Sequence, residues 1–227
     1  MSTMSKATRG EQGEKLVALE LEKIKEYHLV LNDVTFLNKK SEMTHQIDHI
    51  LIHSHGIFVI ETKNYFGEIK VDPDKPFWEK IVNGKIERIN NPLHQNKSHA
   101  ITIYKTLKGE HEVIPVVVFV KNNAPYLGDE NVINLEDLLL FIDSYPYKHK
   151  ITKPTMDKVY SVLKRRSSDV SKEEHLENIG YLKQIKKEIK DEIRYAVENR
   201  KCPRCGKKIC NKGNLFCCQG CDFHFHF

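Results

Sequence analysis

The segment from Gln46 to Asn64, Q-I-D-H-I-L-I-H-S-H-G-I-F-V-I-E-T-K-N, places two acidic side chains and one lysine within two apolar runs. Runs of this length on either side of His53-Ser54-His55-Gly56 predict a β-hairpin. Residues two apart in a strand share a face, so Glu61 and Lys63 point the same way. A loop of two or four residues places Asp48 directly opposite Glu61. A three-residue loop would break this parity unless a bulge restored it.

Two carboxylates and an ammonium group on one face of a hairpin have two interpretations. Mg²⁺ or Mn²⁺ takes hard oxygen ligands, and hydrolysis of a phosphodiester uses such an ion. In that interpretation Asp48 and Glu61 are the metal ligands, and Lys63 positions the attacking water or stabilises its hydroxide form. The alternative is a partly buried ion pair that only stabilises a structural sheet.

A further carboxylate belongs to the segment from Arg9 to Tyr27, whose apolar residues recur near a 3.6-residue period and predict a helix. Glu14 falls in its first or second turn, just after Gly10 and Gly13. Glycines there would let another backbone or a phosphate come close. Glu14 is therefore a candidate member of the same site, and the alternative is a favourable charge at a helix N-terminus.

Four separated motifs carry a family resemblance: G-E-Q-G-E-K-L-V, Q-I-D-H-I-L-I, G-I-F-V-I-E-T-K-N-Y-F-G-E-I and N-P-L-H-Q-N-K-S-H, in this order. Together they resemble the nuclease-related domain, NERD, a branch of the PD-(D/E)xK nuclease superfamily, over residues 8–123. The resemblance implies an α/β fold with a restriction-endonuclease-like α-β-β-β-α-β core. It also implies an active-site set of Glu14, Asp48, Glu61 and Lys63. It places Gln95 near the cleft as a phosphate or water contact, with a solvent-facing polar residue as the alternative.

The remaining elements of this half follow from local patterns. Asn83-Gly84 is a strong hairpin signal, and Pro92 opens a helix that should end before Gly109. Trp78 is expected to pack on the small sheet around that hairpin. The predicted strands are 67–71, 77–82, 85–90 and 113–120, and the last of these is apolar enough to be covered on both faces.

Four histidines crowd the first hairpin, at positions 45, 49, 53 and 55. Imidazoles there could bind a transition metal or titrate near neutral pH. Because carboxylates for a hard metal are already present, we interpret His49 and His53 as packing or surface residues.

After residue 131 the composition shifts. The patterns predict a strand at 132–134, a helix at 135–145 capped by Asn134, a helix at 154–166 and a linker at 164–169. A long charged helix follows at 171–199, and its apolar stripe predicts a packing face or a short coiled coil, through which the chain could self-associate. Lys and Glu fill its other positions, which argues against a membrane helix. The stripe consists of Leu176, Ile179, Leu182, Ile185, Ile189 and Ile193.

The C-terminal tail contains two C-x-x-C pairs, Cys202/Cys205 and Cys218/Cys221, whose spacing is typical of tetrahedral Zn²⁺ sites. It resembles the small zinc ribbons of bacterial type I topoisomerases, which contact DNA. Cys210 and Cys217 are additional candidate ligands, as are His224 and His226 at lower priority. The aromatic residues of 223–227 either stack on bases or cover the thin core of the ribbon.

The length and charge of the chain limit its domain organisation and its binding partners. A chain of 227 residues can hold one medium domain and an appendage, here 8–123, a helical basic region at 124–200 and the ribbon at 201–227. There is no signal-peptide core and no apolar run of roughly 18 residues, so we expect a cytoplasmic protein with reduced cysteines and no membrane partner. The net charge of +5 conceals a strongly basic stretch at 145–215, which suits phosphate binding or is simply a solvated helix.

These features predict a divalent-metal-dependent nuclease that hydrolyses DNA and binds it with the help of a zinc ribbon. One alternative is a nucleic-acid-binding protein without catalysis, whose acidic cluster is a relic. Another is a scaffolding protein that holds partners with its long helix.

Overall fold

The computed structural model describes residues 6–38, 43–121, 131–147, 149–167 and 172–226. The chain divides into two compact units, Met1–Lys172 and Glu173–Phe227. The predicted linker at 164–169 is helical as far as Ser167, and its last two residues lie outside the described ranges.

In the first unit, the described residues form a five-stranded mixed sheet flanked by four α-helices. Its main elements are α1 (Lys6–Leu21), β1 (Leu29–Asn38), β2 (Met43–His53), β3 (Gly56–Lys63), α2 (Pro92–Thr106), β7 (Val113–Phe119), β8 (Val132–Asn134), α3 (Leu138–Ser144) and α4 (Lys153–Ser167). The five strands lie in the order β1-β2-β3-β7-β8. Strands β1, β2 and β3 are antiparallel neighbours, whereas β3, β7 and β8 run parallel. This is the predicted mixed α/β core.

The β2–β3 hairpin has the two-residue turn that the sequence allowed. His53 pairs with Gly56 and His49 pairs with Ile60, so the register places Asp48 opposite Glu61. The predicted register of Asp48 and Glu61 is therefore confirmed.

Helices cover both faces of the sheet, which explains the continuous apolar runs in its strands. Side chains from α2 and α4 form one core with Ile50, Ile52 and Val59. Side chains from α1 and α3 form a second core with Leu51 and Phe58 on the opposite face. Because strand residues alternate between faces, Glu61 shares the face of Val59 and lies on the α2 side.

A small antiparallel sheet, β4 (Glu68–Lys70), β5 (Phe77–Val82) and β6 (Lys85–Asn90), is inserted between β3 and α2. Trp78 is buried beneath it and packs with Ile69, Ile89 and Phe119, as predicted. The indole Nε1–H donates to the Asp72 carbonyl at 2.7 Å, which satisfies the polar atom of this ring.

Two predicted helix boundaries differ from the structure by more than two residues. Helix α1 ends at Leu21, not near Tyr27, because the chain must turn there to bring β1 alongside β2. Helical periodicity continues past that point, but pairing in the sheet overrides it. Asn134 makes no side-chain cap, since a 3-10 turn, Leu135–Asp137, separates it from α3.

The second unit contains α5 (Lys172–Asn199) and a three-stranded sheet of β9 (Ile209–Lys212), β10 (Leu215–Cys218) and β11 (His224–His226). A hairpin joins β9 to β10 through Gly213, whose φ of +68° favours glycine. The core is small and is shared with the end of α5. Its buried residues are Ala196, Cys202, Ile209, Phe223 and Phe225.

Candidate active site and cysteine cluster

Glu61 is the most heavily bonded residue of the acidic cluster. Its carboxylate is only 4% exposed and accepts hydrogen bonds on Oε1 from Lys63 Nζ at 2.5 Å and from Gln95 Nε2 at 3.0 Å. The His99 Nδ1 atom lies 3.5 Å from Oε2. The structure therefore brings Gln95 to the cluster through Glu61, although Gln95 as a whole is an exposed residue.

Asp48 faces the same point from β2. Its Oδ2 atom accepts the backbone N–H of Thr62 at 2.7 Å. Burial raises the pKa of Asp48 to about 8, and the neighbouring carboxylates of Glu61 and Glu14 add to the effect. Two acids held this close in a poorly solvated place resist ionising together unless a cation offsets their charge.

Lys63 supplies one positive charge to this cluster. Burial alone would lower the pKa of Lys63, but the negative charges of Glu61 and Asp48 and the nearby Tyr65 outweigh it and raise the pKa above its ordinary value. The side chain is therefore a permanent ammonium donor near neutral pH.

Glu14 reaches the cluster because helix α1 lies unusually close to the end of β3. A Cβ atom on Gly13 would lie 2.8 Å from Cβ of Asn64, so only glycine allows this approach. Asn64 Nδ2 also donates to the Arg9 carbonyl at 2.8 Å, which ties the helix to the strand. Burial raises the pKa of Glu14, as do the charges of Asp33, Glu11 and Glu61.

Asp33 is a neighbour of the site that sequence reasoning missed. The pairs on either side of it, Asn32 with His49 and Val34 with Ile47, place Asp33 opposite Asp48 in the adjacent strand. Its φ is +49°, a conformation that Asp adopts more readily than most residues. Gln46 Nε2 donates to its Oδ1 at 2.5 Å. A polar Asn-Asp pair within an otherwise apolar strand was the only available signal.

Helix α2 also carries an anchor that the sequence did not reveal. The Asn96 side chain is fully buried and its Nδ2 donates to the carbonyls of Val59 and Val116, at 2.8 and 2.9 Å, on adjacent parallel strands. This fixes the rotation of α2, so that Gln95 and His99, four residues apart on one helix face, meet Glu61. The spacing of Gln95 and His99 was visible in the sequence, whereas the role of Asn96 was not.

The hairpin histidines are placed differently from one another. His49 is buried, its Nδ1 lies 2.8 Å from Asn32 Oδ1, and burial lowers the pKa of its imidazole to about 4. His49 therefore packs in the strand as predicted. His53 is also buried, and burial with the neighbouring His55 lowers the pKa of its ring. His45 packs edge-on against His99, with ring centroids 5.2 Å apart.

The four cysteines of the two C-x-x-C pairs come together in the second unit, with their Sγ atoms all within 4.8 Å of one another. Cys202 and Cys221 are 3.5 Å apart, and Cys205 and Cys218 are 3.3 Å apart. Sulfur atoms around a tetrahedral Zn²⁺ with Zn–S bonds of about 2.3 Å are separated by about 3.8 Å, so the donor set and its size fit zinc.

The thiols of this cluster influence one another. Burial disfavours the Cys218 thiolate, but the Gly220 amide at 3.2 Å and the neighbouring thiols outweigh it and lower the pKa of Cys218 to about 7. The Phe223 amide lowers the pKa of Cys221, but burial and hydrogen bonding among the thiols outweigh it and raise this pKa to about 12. Thiolates this close together repel one another, and a bound cation would offset that repulsion.

Cys210 and Cys217 take no part in the four-cysteine cluster. They are directly opposite each other across β9 and β10, and strand alternation points Cys217 away from the face of Cys218. His224 and His226 are also outside this cluster. Of the four weaker candidates, none joins the group that the structure assembles from the described residues.

The aromatic residues of the tail form the core of the ribbon. Phe216 and Phe225 stack in parallel with centroids 4.9 Å apart, and Phe223 and Phe225 are each less than 8% exposed. Of the two alternatives left open by the sequence, the structure therefore favours coverage of the ribbon core over stacking on bases. The apolar stripe of α5 stays partly exposed, with Leu176 and Ile189 the most accessible, and self-association through it stays a prediction.

Among the described residues, the helices include none with the length and apolar character needed to cross a membrane.

Comparison with known proteins agrees with this geometry. The family model described as the nuclease-related domain matches residues 9–120. An uncharacterized protein of Bacillus anthracis is 30% identical over 181 residues, which cover 77% of this chain and 84% of that protein. No solved structure matches the chain.

Proposed function

The chain belongs to the nuclease-related domain family, and from that premise we propose that it is a divalent-metal-dependent nuclease that hydrolyses phosphodiester bonds in DNA. The observation that carries the proposal is the arrangement around Glu61. Lys63 and Gln95 both donate to one of its oxygens, and Asp48 lies opposite it in the adjacent strand. A structural ion pair between Glu61 and Lys63 would not need the second carboxylate, whose burial beside Glu61 is costly.

The residues fit a hard divalent cation. Asp48 and Glu61 offer carboxylate oxygens, which Mg²⁺ and Mn²⁺ prefer. Within the described part of the chain, Asp48 accepts the Thr62 amide on Oδ2, which leaves Oδ1 for an ion. The raised pKa of Asp48 reflects burial first and the negative charge of Glu61 second, and a bound cation would favour the ionised carboxylate against both. When bound, the ion would supply electrophilic stabilisation of the phosphate under attack.

Each side chain then has its own role. Glu61 holds Lys63 Nζ and Gln95 Nε2 in fixed positions, so both donors are already oriented when a phosphate arrives. Lys63, whose pKa is raised, keeps its proton and acts as a donor to the attacking water or to a phosphate oxygen, not as a base. Glu14 adds a carboxylate at the margin of the site, where it can orient a water molecule.

The second unit is proposed to hold one Zn²⁺ through Cys202, Cys205, Cys218 and Cys221 and to help bind DNA. Lys201, Lys207 and Lys208 are exposed around the cysteine pairs. Basic residues in this density bind phosphates and release counterions. The aromatic residues are buried, so binding to the DNA backbone is better supported than base stacking.

Cleavage of supercoiled plasmid and of single-stranded DNA, with and without Mg²⁺ or Mn²⁺, tests the proposal. Asp48→Ala should lower the rate by roughly 100-fold or more, the effect of losing one group that stabilises charge in a transition state. Glu68→Gln, which changes an exposed carboxylate on β4, is the matched control and should leave the rate unchanged.

Equal cleavage by wild type and Asp48→Ala would overturn the catalytic proposal. Metal-independent DNA binding by both proteins, without cleavage, would instead support the non-catalytic alternative.

A further inference from the structure

A second group of metal-binding side chains lies at the turn of the β2–β3 hairpin. Glu26, His53 and His55 each offer one ligand atom, and these atoms are all within 4.8 Å of one another. His53 is five residues along β2 from Asp48, roughly 16 Å at about 3.3 Å per residue. This group is therefore separate from the carboxylate site and also from the cysteines.

The His55 ring is held in the orientation that metal-binding imidazoles adopt. Its Nδ1 atom lies 3.0 Å from the carbonyl oxygen of Ile142. A carbonyl can only accept, so Nδ1 carries the proton and the lone pair of the neutral ring is on Nε2. A carbonyl acceptor on the far nitrogen is the usual support of a ligating histidine. Stacking on Tyr147 at 4.5 Å further fixes the ring.

His53 is nearly inaccessible, and its Nε2 atom lies 3.3 Å from Oε2 of Glu26. Its Nδ1 atom receives the backbone N–H of His55 at 3.3 Å. Without an ion, the proton on Nε2 therefore links the ring to Glu26. Coordination through Nε2 would move that proton to Nδ1. The hydrogen bond to Glu26 would then be replaced by shared coordination of the ion, and the long hydrogen bond from His55 would be replaced by a contact between two N–H groups.

The surroundings also suit a cation. Glu26 is exposed over 57% of its side chain, so an ion can enter from solvent. His28 and Asp143 are close enough to act electrostatically on His53. The His28 Nδ1 atom lies 2.8 Å from the Glu26 carbonyl, which places the proton of the neutral ring on Nδ1.

We propose that Glu26, His53 and His55 form a site for a Zn²⁺-type ion. Two imidazoles and one carboxylate are a typical zinc donor set, whereas Mg²⁺ takes oxygen ligands. The bound ion would tie the β2–β3 turn to the loop between α1 and β1. The site is independent of the nuclease proposal, since none of its residues belongs to the carboxylate cluster.

Cobalt binding to the full-length chain distinguishes this site from the ribbon. Metal-free, reduced protein is titrated with Co²⁺ in excess Mg²⁺, which keeps the carboxylate site filled. We expect two Co²⁺ ions per chain, one with the intense near-ultraviolet thiolate band of the cysteine site and one without it. Glu26→Gln and His55→Gln should weaken binding of the second ion by about tenfold or more and leave the thiolate band unchanged.

Two controls complete the test. His149→Gln changes a histidine that lines a cavity beside His55 but is not in the group, and it should bind both ions. Cys202→Ser with Cys205→Ser should remove the thiolate band and keep the second ion. A stoichiometry of one ion with a thiolate band would overturn the proposal, as would a second ion whose affinity is unchanged in Glu26→Gln. Glu26 is exposed, so this variant stays informative if His55→Gln fails to fold.

Discussion

The two units of the chain hold their clusters of reactive side chains by opposite means. In the first unit, one apolar core packs on each face of a five-stranded sheet, and this sheet holds the carboxylates in place. We call the sheet and its two cores the frame of the site. In the second unit, Cys202 belongs to the small core itself, and Cys218 and Cys221 pack against it. The first unit can hold buried carboxylates, which lower its stability, because its apolar core is large. The second unit buries few residues, so most of its stability must come from metal ligation.

The largest expected effect is loss of the ribbon on removal of its metal. A unit with so few buried residues depends on ligation, which contributes about 10–16 kcal/mol in small zinc domains. Chelation should therefore abolish the β-sheet signals of residues 202–226 in NMR spectra and leave those of the first unit in place. Cys218→Ser should have the same effect and Cys210→Ser should not.

Retention of zinc in Cys218→Ser together with its loss in Cys210→Ser would show that the ligand set is wrong. Loss of both units on chelation would show that they are not independent.

The second effect concerns the cost of the carboxylate cluster. The pKa of Asp48 is about 8 in the folded chain, against the ordinary value of 3.8. Between about pH 4 and pH 8, Asp48 therefore carries a proton in the folded state that it lacks in the unfolded state. Stability in metal-free buffer should fall as pH rises from about 4 to 8, by roughly 1.4 kcal/mol for each pH unit at most. Asp48→Asn should flatten this dependence and unfold at higher urea concentration at pH 8.

A steep pH dependence that persists in Asp48→Asn would place the responsible proton elsewhere. Excess Mg²⁺ should also flatten the wild-type curve, since an ion in place of the proton relieves the same repulsion.

A third effect, from a pair of substitutions on helix α2, distinguishes a residue that stabilises the fold from a residue that acts in the candidate site. Asn96→Ala removes two hydrogen bonds from buried carbonyls and should destabilise the first unit by about 1–3 kcal/mol per carbonyl left unsatisfied. Gln95→Ala, at the adjacent exposed position, should leave unfolding by urea nearly unchanged but reduce cleavage. Equal destabilisation by both substitutions would mean that Gln95 is part of the frame.

The smallest effect is expected from removal of residues 201–227. The truncated chain should keep its nuclease unit folded and bind DNA with a shallower salt dependence, by about 0.9 in log–log slope for each phosphate that the ribbon no longer neutralises. Fluorescence anisotropy across a series of salt concentrations measures this slope. An identical slope would mean that the ribbon does not bind phosphates.

Much of the first unit could be predicted from the sequence because the same alternation of residues that predicts its strands also predicts which side chains of the candidate site share a face. Alternation along β3 predicts that Glu61 and Lys63 meet, and the hairpin turn fixes Asp48 opposite Glu61. The end of α1 could not be predicted, because helical periodicity continues past Leu21 and only sheet pairing stops it. Asp33 was missed since its proximity depends on β1 pairing with β2, which no local pattern reveals.

The sequence by itself determined the clusters built from close spacing: the β2–β3 hairpin with its acidic residues, and the four cysteines in two C-x-x-C pairs. Tertiary structure decided the contacts between residues that are far apart in the chain. It placed α1 close to β3, which requires that Gly13 has no Cβ atom, and it anchored α2 through the hydrogen bonds of Asn96. It also brought Glu26 to His53. The physical reason is that the spacing of residues along the sequence determines which way side chains point only within one helix or strand. Which helices and strands contact each other is determined by packing.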